Sequence, residues 1–450
     1  MADMAVSWAR VDITPSLAAN PWMGGYGCGD NSPREATADA PYTPLFARCV
    51  VFWDGGSPSA IVTADVLAFP RSMHQAIREK VVALSDQWGS SNFVLTATHT
   101  HNGPVLVDKL DPFMAYGLTD LTQVTDYSNR LQDQIVGLVQ TALDASRAQC
   151  TFDYQVGSQN FSYNREGLPY VETAVPVLVA RDADRRPLAV LFSYGCHPVS
   201  AGRQTQWDGD FPAGAATSIE ESTGAFAMFL PGPAGDQDPT GGMRNFTVRD
   251  QLAGQLGGTV TSLIASEGRP ISGPIRTSYQ EAVLPLDVTD AKANLDDVKA
   301  DYLVRQGSPN LTAWARRHAS RMIQQIEAGT FETTVPLPIQ VWKLEGTPLL
   351  RLAFVGGELV SGYAVYFRNV YGGPVNIYIG GYANEIPAYI PSDELLRPIR
   401  SGGSYGGGWD TDYPGIAGGS MAVYGYVGHF RAAPDGVEQV LTAALTSQLT

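Results

Sequence analysis

The chain has 450 residues, 44% of them hydrophobic, which is enough to bury a large core. Its net charge of −15, with no Lys/Arg cluster, argues against nucleic acid and anionic membrane surfaces as partners. No run reaches the roughly 18 apolar residues of a membrane span, so stable membrane insertion is not expected.

The N-terminus, MADMAVSWARVDITPS, lacks a basic segment followed by an apolar one, and no secretory signal is visible. The four cysteines, at 28, 49, 150 and 196, match neither a CxxC metal knuckle nor a dense disulfide frame. They read as reduced, mostly buried thiols, and the expected compartment is cytoplasmic. Length alone allows two or three domains. The 47 Gly and 30 Pro are spread along the chain rather than gathered in a linker. The expectation is therefore a single domain over 1–450.

In chain order, residues 45–53 and 59–65 are β-branched apolar runs and read as buried strands. Residues 71–86 place Met73, Ile77, Val81 and Leu84 at helical spacing. A strand follows at 92–97 and a long helix at 124–147. The middle repeats the theme, with strands at 174–181 and 187–195, a helix at 212–222 and a strand at 225–231. Residues 288–328 are charged, helix-periodic and nearly free of Gly, which predicts a helical segment inserted around 288–330. Strands return over 336–381, and 434–448 reads as a terminal helix after a proline. This order predicts an α/β fold with a mixed, partly parallel central sheet and flanking helices. Residues 401–420 form a glycine-dense loop whose Tyr405, Trp409 and Tyr413 favour a functional role over a simple linker.

Only six histidines occur, and three of them sit at strand ends. The strand at 94–97 runs into Thr98-His99-Thr100-His101-Asn102-Gly103-Pro104. Residues two apart on an extended chain share a face, so His99 and His101 can point into one crevice at the C-terminal edge of the sheet. Phe192-Ser193-Tyr194-Gly195-Cys196-His197-Pro198 breaks from strand to turn in the same way. Imidazole is the commonest metal ligand, which makes these turns candidates for a metal site. His74, His318 and His429 lie in helical or strand-like runs and read as surface or packing residues. Carboxylates follow other strands, in Gly235-Asp236-Gln237-Asp238-Pro239 and Gly356-Gly357-Glu358, and Asp208-Gly209-Asp210 precedes a helix, where an N-cap is the plainer reading. Asp236 and Asp210 are candidates to fix histidine tautomers. Asp65 and Glu385 are candidates for a second ion, with core or turn roles the plainer reading.

The ordered set of motifs resembles the neutral/alkaline (non-lysosomal) ceramidase family, zinc-dependent amidases that cut the N-acyl bond of ceramide. The matching pieces are THTHNGP at 98–104, YNRE at 163–166, GCHP at 195–198, DGDFPAG at 208–214, AGDQDP at 234–239, GGEL at 356–359, YANEIPAYIPSDE at 382–394 and YGGG at 405–408. The resemblance runs from about residue 8 to the end. It implies one Zn2+ ion held by His99, His197, Glu358 and Tyr389 at the C-terminal ends of strands. It also implies that His101 faces the substrate, that Arg165 matches an arginine of the family's site, and that Tyr405 helps hold a developing oxyanion. Asp238 stands where the family pattern has a serine, and no β-sandwich domain is expected after the catalytic part.

These departures shift the expected substrate. A small soluble amide fits an acidic chain without a membrane-contacting segment better than ceramide does, and Asp238 is expected to recognise a cationic or hydroxyl-bearing group. The same site would equally serve an esterase, a lactonase or an acyl-transfer enzyme. The missing serine also admits a ligand-binding relative without catalysis. A homo-oligomer is compatible with the sequence, which fixes no oligomeric state.

Overall fold

The computed structural model describes residues 4–26, 33–38, 40–108, 120–289, 295–396, 404–410, 412–413 and 415–450. The first layer comes from the N-terminal third. Strands β1 (Met4–Asp12), β2 (Phe46–Asp54) and β3 (Ser57–Ala64) run antiparallel, and β3 passes through α1 (Arg71–Val82) to its parallel neighbour β4 (Phe93–Ala97). After α2 (Thr122–Asp144), the short β5 (Ala148–Gln149) pairs with the free side of β1, giving the order β4-β3-β2-β1-β5. Side chains alternate between the two faces, as pleated backbone requires. Ala5, Val51, Val62 and Leu95 face α1 and α2, while Val6, Phe52, Ile61 and Val94 point the other way.

The chain continues with β6 (Thr151–Ser158), β7 (Ser162–Asn164), β8 (Ala174–Arg181) and β9 (Pro187–Tyr194). Helix α3 (Asp210–Thr223) connects β9 to its parallel partner β10 (Phe226–Pro231). Then β11 (Gln237–Pro239) turns back onto β7, and α4 (Phe246–Ile264) leads into the long β12 (Arg269–Pro285). Helices α5 (Leu295–Gly307) and α6 (Ala313–Ala328) precede β13 (Thr334–Gly346), β14 (Leu350–Val355) and β15 (Glu358–Leu359). Next come α7 (Ser361–Tyr371), β16 (Ile377–Gly380), β17 (Tyr389–Ile390), α8 (Gly419–Tyr424) and α9 (Val437–Leu449). Eight of these strands form a second mixed sheet, in the order β10-β9-β8-β6-β12-β13-β14-β16.

The two sheets face each other. Val6, Phe52, Ile61 and Val94 of the first pack against Phe152, Leu191, Met228, Trp342 and Phe354 of the second. Helices cover both outer faces, α1 and α2 on the first sheet, and α3 and α4 on one half of the second. The other half is covered by α5, α6, α7 and α9. The result is a four-layer α/β/β/α arrangement of mixed sheets with flanking helices. The face-to-face pairing of two sheets is new relative to the sequence reading.

The larger sheet curls until its two edge strands meet. Tyr378 of β16 donates to the Pro231 carbonyl at the end of β10, at 3.0 Å. Gly380 permits this approach, since a Cβ there would lie 2.6 Å from the same oxygen. The edge of the smaller sheet joins them: Ala97 N of β4 donates to Tyr382 O at 3.2 Å, and Asn384 N to Leu95 O at 2.5 Å. Thus the C-terminal ends of the parallel pairs β3–β4, β9–β10 and β14–β16 converge on one place.

Helix α4 and strand β12 were not expected from the sequence, and the range 336–381 contains α7 as well as strands. Cys49 and Cys196 are buried free thiols and Cys150 is a partly buried one, while Cys28 lies outside the described residues. Among the described residues, no helix is long and apolar enough to cross a membrane.

Candidate metal centre

Each site residue sits in a turn that leaves a strand. After β4 the backbone bends sharply at His99, which adopts φ 68°, a left-handed conformation that costs free energy for a residue with a Cβ. The bend is pinned by His99 N donating to Val66 O at 3.0 Å. It turns the ring so that Nδ1 meets Leu67 O at 2.7 Å. His101 follows on the same side, its Nδ1 3.1 Å from His99 O. After β9, His197 N donates to Gln237 O at 2.9 Å, and its Nδ1 lies 2.6 Å from Ala234 O. After β14 the chain turns through Gly357 at φ 75°, where a Cβ would sit 2.5 Å from Ile390 Cγ1. That turn delivers Glu358 into a short parallel pairing in which it lies directly beside Tyr389.

Carbonyl oxygens only accept, so Nδ1 of His99 and of His197 carries a hydrogen, and in the neutral imidazole each Nε2 presents a lone pair. Those two nitrogens lie 3.3 Å apart. Glu358 Oε2 lies 3.2 Å from His99 Nε2 and 3.1 Å from His197 Nε2. Tyr389 Oη is 3.4 Å from His197 Nε2. Glu358 Oε2 is buried and accepts no hydrogen bond from the described residues. Electron-rich atoms brought this close in a dry interior repel one another unless a cation sits among them. Their spacing also matches the about 3.3 Å between ligands of a tetrahedral ion with bonds near 2.0–2.1 Å. A ring nitrogen of His101 lies within 4.8 Å of those of the other two histidines, so the three form a group able to hold an ion.

The centre opens into a cavity of about 210 Å³. Tyr26, His101, Arg165, Asp238, Arg244, Tyr405 and Tyr424 contribute to its wall. Arg165 donates to Tyr389 Oη at 3.0 Å, to Asp238 Oδ1 at 3.2 Å and to Gly235 O at 2.8 Å. Arg244 takes the other Asp238 oxygen at 2.5 Å. Burial works against the Asp238 charge, but the two guanidiniums outweigh it and hold the carboxyl below its usual range. Burial, with His99 and His197 alongside, pushes His101 well below an ordinary imidazole, so it is neutral at pH 7. Burial and the Glu358 charge push the Tyr389 hydroxyl well up. Tyr405 stands edge-on to Tyr389 with centroids 5.3 Å apart and remains 44% exposed at the cavity mouth.

Two solved structures are similar to this arrangement over most of its length. One is the neutral ceramidase from Pseudomonas aeruginosa, at TM-score 0.64 and 18% identity, covering 88% of this chain and 69% of that one. The other is a ceramidase complexed with C2, at TM-score 0.65 and 16% identity, covering 88% and 70%. The protein has a neutral-ceramidase-like fold. At this identity the likeness is one of fold. No protein-family model matches the sequence, and no curated protein matches it.

Within this ceramidase-like frame, the eight site residues expected from the sequence, His99, His101, Arg165, His197, Asp238, Glu358, Tyr389 and Tyr405, all lie around one cavity or touch its lining. Asp236 and Asp210 do not touch the histidines. Asp236 accepts from Ser361 and Asn164, and Asp210 from Ser200 and Ala201, so backbone carbonyls fix the tautomers instead. Asp65 is taken up by Phe46 N and Arg48, and Glu385 by Arg71 and His74. His74 is fully buried in that network, His318 packs on Trp314, and His429 packs on Trp409. Of the loop aromatics, Tyr405 alone lines the cavity.

Four lining or supporting residues were missed from sequence. Tyr424 Oη donates to Glu358 Oε1 at 2.6 Å. Arg244 braces Asp238, and Tyr26 meets His101 edge-on at 5.3 Å. Arg34 is buried behind Tyr26, where its guanidinium binds Asn102 Oδ1 at 2.7 Å and the His101 carbonyl. Each lies outside the motif turns that mark the site in the sequence.

Proposed function

We propose that the protein is a zinc-dependent hydrolase that cleaves an amide bond in a small soluble substrate. The observation that carries this reading is the convergence of two imidazole Nε2 atoms, one carboxylate oxygen and one phenol oxygen, each 3.1–3.4 Å from a neighbour. His99, His197, Glu358 and Tyr389 would hold the ion, and a nitrogen- and oxygen-donor set of this kind suits zinc. When bound, the ion supplies a Lewis acid and lowers the pKa of water toward about 7.

The chain's own groups supply the rest. His101 keeps its hydrogen on Nδ1 by donating to His99 O. Its Nε2 is then free to take a proton from the attacking water and pass it to the leaving nitrogen. Arg165 donates to Tyr389 Oη and so favours the ionised phenol that a ligand needs. Tyr405 offers a hydroxyl at the mouth for the carbonyl oxygen as its charge grows, a contribution commonly worth about 3–4 kcal/mol. The fold likeness to two ceramidases supports an amide over other carbonyl substrates. The cavity, about 210 Å³, is below the about 300–1,000 Å³ of common ligand pockets, which supports a small substrate over a two-chain lipid.

Metal analysis of the purified chain, followed by amine-release assays on soluble N-acyl compounds, matched esters and long-chain ceramide, tests this. We expect one zinc per chain and faster turnover of soluble amides than of ceramide. His99→Ala and Glu358→Gln should lose the ion and more than about 100-fold in activity, a loss that even supporting residues of metal sites can cause. Full activity in metal-free protein would overturn the reading.

A further inference from the structure

The cavity wall is charged in an unexpected sense. Asp238 is its natural anchor for a cationic substrate group, yet both of its oxygens are engaged, Oδ1 by Arg165 at 3.2 Å and Oδ2 by Arg244 at 2.5 Å. Two guanidiniums against one carboxylate leave one positive charge over. Arg165 is spent on Asp238, Gly235 O and Tyr389. Arg244 is bonded through Nη2 alone, lines the cavity and keeps 31% of its side chain exposed. Its remaining donors have no protein partner among the described residues.

Glu358 also lines the cavity and acts on Arg165, but in the hydrolase reading the ion it would hold takes up its charge. Asp210 is tied by Ser200 and Ala201, and the buried Arg34 makes its own hydrogen bonds to neutral oxygens. Asp208 is paired with Arg249 at 3.0 Å. In a chain of net charge −15, the wall around Asp238 is therefore locally positive. A guanidinium with a free edge matches a carboxylate in both charge and planar fork geometry.

We propose that the substrate is a small amide that also carries a carboxylate, of the N-acyl amino acid type, and that Arg244 binds that carboxylate with Asp238 as its brace. This reverses the role expected for Asp238, which becomes a positioning residue for two arginines. The proposal rests on the hydrolase reading above and names its substrate class.

The test pairs a panel of N-acetylated amino acids with their uncharged amides, comparing kcat/KM for the zinc-loaded wild type, Arg244→Gln and Arg244→Lys. Wild type should favour the carboxylates by at least about tenfold, Arg244→Gln should lose that preference, and Arg244→Lys should keep part of it. Equal turnover of both series by the wild type, or an unchanged preference in Arg244→Gln, would overturn the proposal while leaving the hydrolase reading intact. Calorimetric binding of the same N-acetylated amino acids supplies a readout independent of turnover. If nothing is hydrolysed but the wild type binds them and Arg244→Gln does not, the hydrolase reading fails and the carboxylate site stands. If nothing is hydrolysed and neither protein binds them, both fall. Circular dichroism of each variant confirms the fold.

Discussion

A single side chain can decide whether a set of donors becomes a site. Glu358 has one oxygen directed at His99 and His197 and the other held by Tyr424 at 2.6 Å. Tyr424 thereby fixes which lone pairs Glu358 would offer to an ion. Tyr424→Phe should weaken metal affinity by about 10–100-fold, measurable by competition with a chelator, because supporting hydrogen bonds in metal sites commonly have that effect. An unchanged affinity would mean that the Glu358 rotamer is set by packing alone. At this scale the sequence was informative where chemistry is written locally. The HxH turn, the GCHP turn and the Gly-Gly-Glu turn each announce a side chain thrown out at a strand end. Tyr424, Arg34 and Arg244 carry no such mark. Their importance comes from contact with segments 66 to 68 residues away for Tyr424 and Arg34, and in Arg244 from the turn of β11 that returns Asp238 to it.

Helices and strands were legible in proportion to how cleanly their apolar residues repeat. Helices α1 and α2 show an unbroken helical period, and β2, β3, β8 and β9 are dense β-branched runs. Helix α4 was missed because Gly254, Gly257 and Gly258 interrupt its pattern. At least one of these has a packing reason, since a Cβ at Gly257 would lie 3.0 Å from Ser218 Oγ on α3. The facing glycine on α3 is tighter. A Cβ at Gly214 would fall 2.4 Å from Arg249 Nη1 and 2.8 Å from Ala253 Cβ. Arg249 cannot swing away freely while it pairs with Asp208. Gly214→Ala is expected to cost about 1–3 kcal/mol in denaturant unfolding. Strand β12 was missed for another reason: Pro270, Gly273 and Pro274 break the alternation, and much of it is only half-buried.

The helical pair α5–α6 carries a pH liability of its own. His318 on α6 is buried against Tyr302 and Trp314, and burial lowers its pKa to about 3. An unfolded imidazole takes up its proton near 6.5, whereas the folded one resists until about 3. The unfolded state therefore binds more protons across that window, and stability falls as pH drops below about 6.5. His318→Leu should remove about 2 kcal/mol of the loss between pH 7 and pH 5, read as a flatter dependence of Tm on pH than in the parent. An identical slope would show that the native state admits the proton.

On the scale of the whole molecule, the donors come from four stretches of chain, from His99 to Tyr389, and from the ends of strands in both sheets. Composition and element order indicated a mixed α/β body, but not that two sheets would face each other, because that pairing is set by contacts far apart in sequence. A bound ion would link those sheets through the site. Because the unfolded chain offers no such cluster, chelation should lower Tm, with the ion worth about 4 kcal/mol at a free concentration a thousand times its Kd. Calorimetry with and without chelator measures this directly, and an unshifted Tm would mean that the cluster is fully held without a cation.

The meeting of β4, β10 and β16 has a further consequence. Edge strands are where a folded protein is most open to unwanted pairing with another chain, since their backbone donors and acceptors lack neighbours. Here the edges that catalysis would use are turned toward one another, with residues 382–384 bonded along β4 and Tyr378 tied to the end of β10. The same closure that gathers the reactive side chains leaves less free ladder for a second molecule to extend, so assembly of the site and protection from self-association are served by one piece of geometry.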